Sequence, residues 1–151
     1  MNDPIENLAV HLEKDQVLCT EGDPKNDLFL IHSGKLMVCV RKGSEVTPLA
    51  YVVAGEYLGE LSFFDGSGRS ADIIVLEHTT LIKIPSDFLR KQFPPWLGKM
   101  ARYMTQRIRI LDDVIRTKGI KKKNAHTISA LSIQEQRYYM EKIKKYELEN
   151  S

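Results

Sequence analysis

The pattern of apolar and polar positions changes character twice along the chain. From about Gln16 to Ile84 it comes in short runs separated by turn signals. Leu28-Phe29-Leu30-Ile31-His32 is followed by Ser33-Gly34, and a further run extends from Lys35 to Val40. Lys42-Gly43-Ser44 marks the next turn, and Val46 to Val53 forms another run. Ile73-Ile74-Val75-Leu76 and Leu81-Ile82-Lys83-Ile84 flank the polar corner Glu77-His78-Thr79-Thr80. Closely spaced strands punctuated by glycine predict a sandwich or barrel. Glu21-Gly22-Asp23 and Gly55-Glu56 read as turns within it.

The second zone has the period of a helix. Ser86 is placed to cap a short helix through about Gln92, which Pro94-Pro95 stops. Pro95 suits the first position of the next helix, where its missing N–H is no loss. Leu97, Ala101, Met104, Ile108, Leu111 and Ile115 then recur at alternating spacings of four and three. That is the seam of a coiled coil, although the same stripe can also cover a core within one chain. Ile110 and Val114 add a second apolar edge, so the helix is expected to touch its own domain and a partner subunit together.

In the third zone, Arg116-Thr117-Lys118-Gly119-Ile120-Lys121-Lys122-Lys123 reads as a solvated basic helix end, with Gly119 as C-cap, and a linker. Ser132-Ile133-Gln134-Glu135 makes a capping box. The helix it opens carries Ile133, Tyr139, Met140, Ile143 and Tyr146 on one side, expected to pack on the chain's own strands or on a partner. The expected division is 1–118 for the main domain with its long helix, and 119–151 for basic linker and amphipathic tail helix.

Composition narrows the function classes. A chain of 151 residues with 42% hydrophobic and 28% charged content suits one domain plus an appendage. A net charge of +2 is too small to argue for nucleic acid or an anionic membrane. No apolar run approaches the roughly 20 residues needed to span a bilayer. The opening Met1-Asn2-Asp3-Pro4-Ile5-Glu6 lacks the layout of a secretory signal. Cys19 and Cys39 read as two separate reduced thiols, and the expected location is the cytoplasm. His11, His32, His78 and His126 are scattered, which argues against a metal site, and no nucleophile motif is present. An enzyme is not expected. Iron–sulfur sensing needs about four cysteines, against two here.

The informative stretch runs from Gly55 to Ala71. It sets a glycine, Gly59, at the mouth of a short helix, a carboxylate, Glu60, beside it, and Arg69 nine residues further on. Backbone N–H groups at a helix start favour a phosphate. An arginine offers a planar fork of donors suited to a phosphodiester, and an ionised glutamate accepts from a ribose hydroxyl.

Gly59-Glu60-Leu61 followed by Arg69-Ser70-Ala71 resembles the phosphate-binding cassette of cyclic nucleotide-binding domains, the family of the bacterial catabolite activator and the regulatory subunits of protein kinase A. The likeness extends from about Leu12 to Lys118. It implies a mainly β fold with flanking helices: a cyclic nucleotide-binding β-roll, a double-stranded β-helix like the jelly roll of cupins, followed by a long C-terminal dimerisation helix and here a tail helix. Carried over position by position, Glu60 would bind the ribose 2′-hydroxyl and Arg69 the cyclic phosphate. Gly59, Leu61 and Ser62 would line phosphate and sugar through their backbone, and the Ser70 hydroxyl would also meet the phosphate. Leu111 and Asp112 fall where the bacterial regulators present a Thr-Ser pair to the base. The triplet Arg69-Ser70-Ala71 equals that of a cAMP-binding regulator and favours cAMP. Asp112 facing the base would favour cGMP instead, because guanine offers two donors to one carboxylate. The resemblance implies a parallel homodimer through Leu97, Ala101, Met104, Ile108, Leu111 and Ile115.

The sequence also departs from the regulators, because residues 119–151 are too few for their helix-turn-helix domain. No specific DNA binding, no metal and no membrane are expected. The expected role is a sensor or adaptor that passes ligand state to a protein partner. The alternative is an interaction scaffold of the same fold that has lost its ligand, against which the presence of both Glu60 and Arg69 argues.

Overall fold

Alternation and turns resolve into two four-stranded sheets in a computed structural model that describes residues 8–87, 91–118 and 129–151. The strands are β1 (Ala9–Leu12), β2 (Val17–Cys19), β3 (Leu28–Ser33), β4 (Lys35–Lys42), β5 (Glu45–Val53), β6 (Tyr57–Leu58), β7 (Asp72–Val75) and β8 (Thr79–Ile84). The helices among the described residues that concern the site are α1 (Glu60–Asp65), α2 (Pro95–Lys118) and α3 (Ile133–Glu149). One sheet has the order β1-β8-β3-β6 and the other β2-β7-β4-β5, with antiparallel pairing in both. This is the predicted β-roll. Of the short helix expected over 86–92, residues 88–90 lie outside the described residues, as do Gly119 and the Lys121–Lys123 run.

Side-chain alternation divides the interior in two. Between the sheets, Phe29, Ile31, Leu58 and Leu81 of the first meet Cys19, Leu36, Ile73 and Val75 of the second. The opposite face of the second sheet presents Val17, Met37, Cys39, Val46 and Ile74, and α3 covers it with Met140 and Ile143. β7 is therefore buried along its whole length, which accounts for its unbroken Ile-Ile-Val run.

The capping box that starts α3 forms as read. Ser132 Oγ accepts from the Glu135 amide at 3.2 Å, and the Glu135 carboxylate accepts from the Ser132 amide at 2.7 Å. These hydrogen bonds from Ser132 lower the Glu135 pKa. Tyr139 and Tyr146 flank the buried pair on the sheet side, whereas Ile133 is 71% exposed and falls outside the apolar side expected of it. Gln136 Oε1 also accepts from the Val46 amide at 3.1 Å, and Tyr138 donates to Asp15.

The long helix corrects a second expectation. Arg109 and Arg116 hydrogen-bond it to the roll, and Thr105, on the same side, is buried with its hydroxyl donating to the Ala101 carbonyl of the helix itself. Of the expected second apolar edge, Val114 is half-buried, whereas Ile110 is 64% exposed and does not face the domain. Leu97 and Ala101 are half-buried, but Met104, Ile108 and Leu111 of the stripe are exposed. The side chain of Ile115 lies outside the described residues. No helix among the described residues is long and apolar enough to cross a membrane.

Candidate ligand-binding site

The site is built around one buried arginine. Gly59, the N-cap of α1, holds φ 81°. A Cβ at Gly59 would come within 2.2 Å of Arg69 Nη1 and 2.8 Å of the Asp27 carbonyl oxygen, so only glycine admits the guanidinium here. Arg69 Nη1 donates to the Gly59 carbonyl at 3.1 Å and to Ser62 Oγ at 2.9 Å, and Nη2 donates to the Asp27 carbonyl at 2.7 Å. The guanidinium carbon also stands 5.7 Å from the centre of the Phe29 ring, within cation–π range. Arg69 is 5% exposed, and its Nε is buried without a partner. Its acceptors are two carbonyls and a hydroxyl, and none of the ion pairs among the described residues includes it. A buried cation with neutral partners alone is costly, and an anion beside it offsets that cost.

The loop that carries Arg69 is fixed through its backbone. Its amide donates to the Asp23 carbonyl at 2.9 Å, and its carbonyl accepts from the Gly22 amide at 2.8 Å. The turn Glu21-Gly22-Asp23 is thereby attached to the backbone of the arginine. α2 then closes over the loop. Arg109 Nε and Nη2 pair with the two Asp65 carboxylate oxygens at 2.5 and 3.0 Å, and Nη2 also reaches the Gly68 carbonyl at 3.0 Å. Two turns further on, Arg116 pairs with the Glu21 carboxylate and donates to the Ser70 carbonyl at 3.0 Å. A cleft of about 370 Å³ lies between helix and loop, with Arg69, Ser70, Glu21, Arg109, Asp112 and Arg116 in its lining. That volume is in the range of small-molecule sites.

A family model for the cyclic nucleotide-binding domain matches residues 9–93, more than half of the chain. The chain belongs to the cyclic nucleotide-binding domain family. Its relatives include a lysophospholipase of Lodderomyces elongisporus, 30% identical over 107 residues, or 65% of this chain and 7% of the relative. They also include the cyclic AMP receptor protein of Thermus thermophilus, 30% identical over 61% of this chain and 44% of that one. The chain thus spans well under two thirds of the curated relatives it matches. Among solved structures, the cAMP-bound form of the EAL enzyme Bd1971 matches with a TM-score of 0.66 at 25% identity, over 73% of this chain and 30% of that one. The Thermus thermophilus catabolite activator protein matches in fold, with a TM-score of 0.56 at 24% identity, over 74% of this chain and 54% of that one.

Within this cyclic nucleotide-binding domain, Gly59, Ser62 and Arg69 are joined directly. Glu60 opens α1 and is exposed, and Leu61 is half-buried behind it. Ser70 lines the cleft beside Arg69, whereas Ala71 is buried and its carbonyl faces the Cys19 thiol at 4.0 Å. Asp112 lines the cleft, but Leu111 is 62% exposed and is not among the residues lining it. Neither Arg109 nor Arg116 is among the site residues expected from the sequence, whose pattern puts Arg116 in a solvated basic end. The structure instead fastens Arg116 to the cassette. The signal available in the sequence was the seven-residue interval between the two arginines, which puts both on one helical face. Their carboxylate partners, Asp65 and Glu21, are too distant in sequence to be read.

Proposed function

We propose that this chain binds a cyclic mononucleotide and reports its presence to a protein partner. Arg69 would meet the cyclic phosphate, with Gly59, Leu61, Ser62 and Ser70 around it and Glu60 accepting from the ribose hydroxyl. The observation that carries this reading is the Arg69 guanidinium, buried, held in place by three neutral acceptors and left with one unpartnered nitrogen. An anionic phosphodiester supplies the missing counter-charge and an acceptor in one group. cAMP is the favoured ligand on the Arg69-Ser70-Ala71 triplet, and Asp112 in the cleft lining is the residue that would turn preference towards cGMP. The protein acts by binding rather than catalysis, without specific recognition of duplex DNA. Its output passes through a homodimer of the long helix and through the tail helix.

Calorimetric titration of the 151-residue chain with cAMP and with cGMP tests the reading. One of them binds the wild type, and Arg69→Ala weakens it about 10–100-fold, the loss of hydrogen bonds to a charged group. Glu60→Ala weakens it as well, through the sugar. If the wild type binds neither nucleotide, the scaffold reading replaces this one.

A further inference from the structure

Glu21 joins two contacts that lead to different helices, α2 on one hand and, through Asp72 and Arg41, α3 on the other. Its carboxylate receives Arg116 of α2, whose Nη2 bonds the Ser70 carbonyl next to Arg69. Its backbone N–H donates to Asp72 Oδ1 at 2.8 Å. Asp72 is fully buried at the start of β7 and receives Arg41 Nε at 2.6 Å and Nη2 at 3.2 Å. The same Nη2 reaches Glu147 Oε1 of α3 at 2.8 Å. Burial alone would lower the Arg41 pKa, but its hydrogen bonds to Asp72 and Glu147 raise it, so it stays charged. A continuous chain of hydrogen bonds thus runs from the tail helix through Glu147, Arg41, Asp72, Glu21 and Arg116 to the cassette.

We propose that nucleotide binding in the cassette and docking of α3 on the roll oppose each other through this chain, with Glu21 as its junction. The inference rests on the nucleotide reading above and adds the route and the sign of the output. Arg116 lines the same cleft as Arg69, and its Nε is buried without a partner. A phosphate seated at Arg69 and Ser70 therefore competes with Glu21 for Arg116. The turn at Glu21, less firmly held, gives up part of its amide bond to Asp72. Asp72 then draws on Arg41 more fully, and Arg41 Nη2, shared between Asp72 and Glu147, leaves Glu147. The tail helix loses a polar tie at its C-terminal end, while Met140 and Ile143 still hold its middle. By linkage, whatever loosens α3 at Glu147 tightens nucleotide binding by the same factor.

The test uses the full chain, with cAMP as the probe, or cGMP if only that nucleotide binds. Glu147→Gln removes one end of the chain and leaves every cleft residue in place, and at 44% side-chain exposure it is compatible with the fold. Nucleotide affinity, measured by calorimetry, is expected to rise about two- to five-fold in this variant, the range an exposed ion pair spans. Hydrogen exchange of the α3 amides is expected to quicken by a similar factor when nucleotide is added to the wild type, and to respond less in Glu147→Gln. Nucleotide binding with unchanged α3 exchange, or with equal affinity in the variant, overturns the coupling and leaves the binding function standing. Failure of the wild type to bind either nucleotide overturns both.

Discussion

Gly59 and the two cysteines show how much a single position is constrained here. At Gly59 the left-handed backbone and the guanidinium 2.2 Å from where a Cβ would sit act together. Gly59→Ala incurs roughly 1–2 kcal/mol for the backbone alone and also displaces Arg69. A lower urea midpoint and weakened nucleotide binding are expected together. A stable variant that binds like wild type would show that the cassette relaxes around the methyl group. Cys19 and Cys39 are both pushed up to about 12, chiefly by burial, from an ordinary value of 9.0. A raised thiol pKa means that the folded state resists the thiolate. The stability this confers is complete below about pH 9 and is lost as pH rises towards 12. In the folded protein, neither thiol should react with a thiol reagent at neutral pH. The difference in Tm between wild type and Cys39→Ala should shift against the wild type above pH 9. Rapid labelling of the native protein would contradict this burial.

At the scale of elements, α3 behaves as part of the roll's interior. Ile143 is fully buried against Met37, Cys39 and Ile74, and Met140 lies beside it. Ile143→Ala should therefore reduce stability by about 2–5 kcal/mol, as deletion of a buried branched side chain does, read from chemical denaturation. A change under 1 kcal/mol would mean the helix is only lightly seated. Much of this architecture was legible in the sequence. The runs at Leu28, Lys35, Val46, Ile73 and Leu81 became β3, β4, β5, β7 and β8 with small boundary changes, because turn residues and alternation are local signals. β1 and the two-residue β6 had too little pattern to stand out. The capping box located the start of α3, but what α3 covers depends on the outer face of a sheet assembled from distant segments. The apolar residues on both faces of β4 and β7 were the available clue. On α2 the apolar stripe drew attention away from the arginines, since a polar contact with the roll has no periodic apolar signature. Asp112 and Asp113 line the cleft, whereas Leu111, one step back round the helix, is exposed.

At the scale of the molecule, α2 has one side on the site and an exposed apolar stripe on another. Its polar side is used up on Asp65, Glu21 and the cassette carbonyls. About a third of a turn round the helix, Met104, Ile108 and Leu111 are 55%, 43% and 62% exposed, with Met100 nearby at 47%. Apolar side chains at that spacing on a 24-residue helix match the seam of a coiled-coil pair. We therefore expect light scattering at micromolar concentration to give twice the 17.3 kDa of one chain. Ile108→Asp should give the single-chain mass, because a carboxylate in a dry seam is unpaired. The same variant leaves Arg109 and Arg116 in place, so it should keep its fold and still bind nucleotide. Its affinity should nevertheless differ from that of the dimer, because the helix that carries the seam also closes the cleft, and a partner that fixes this helix alters how freely it yields to the ligand. A wild-type chain that scatters as a monomer would remove the seam from the output path. α3 would then be left as the element through which ligand state reaches a partner.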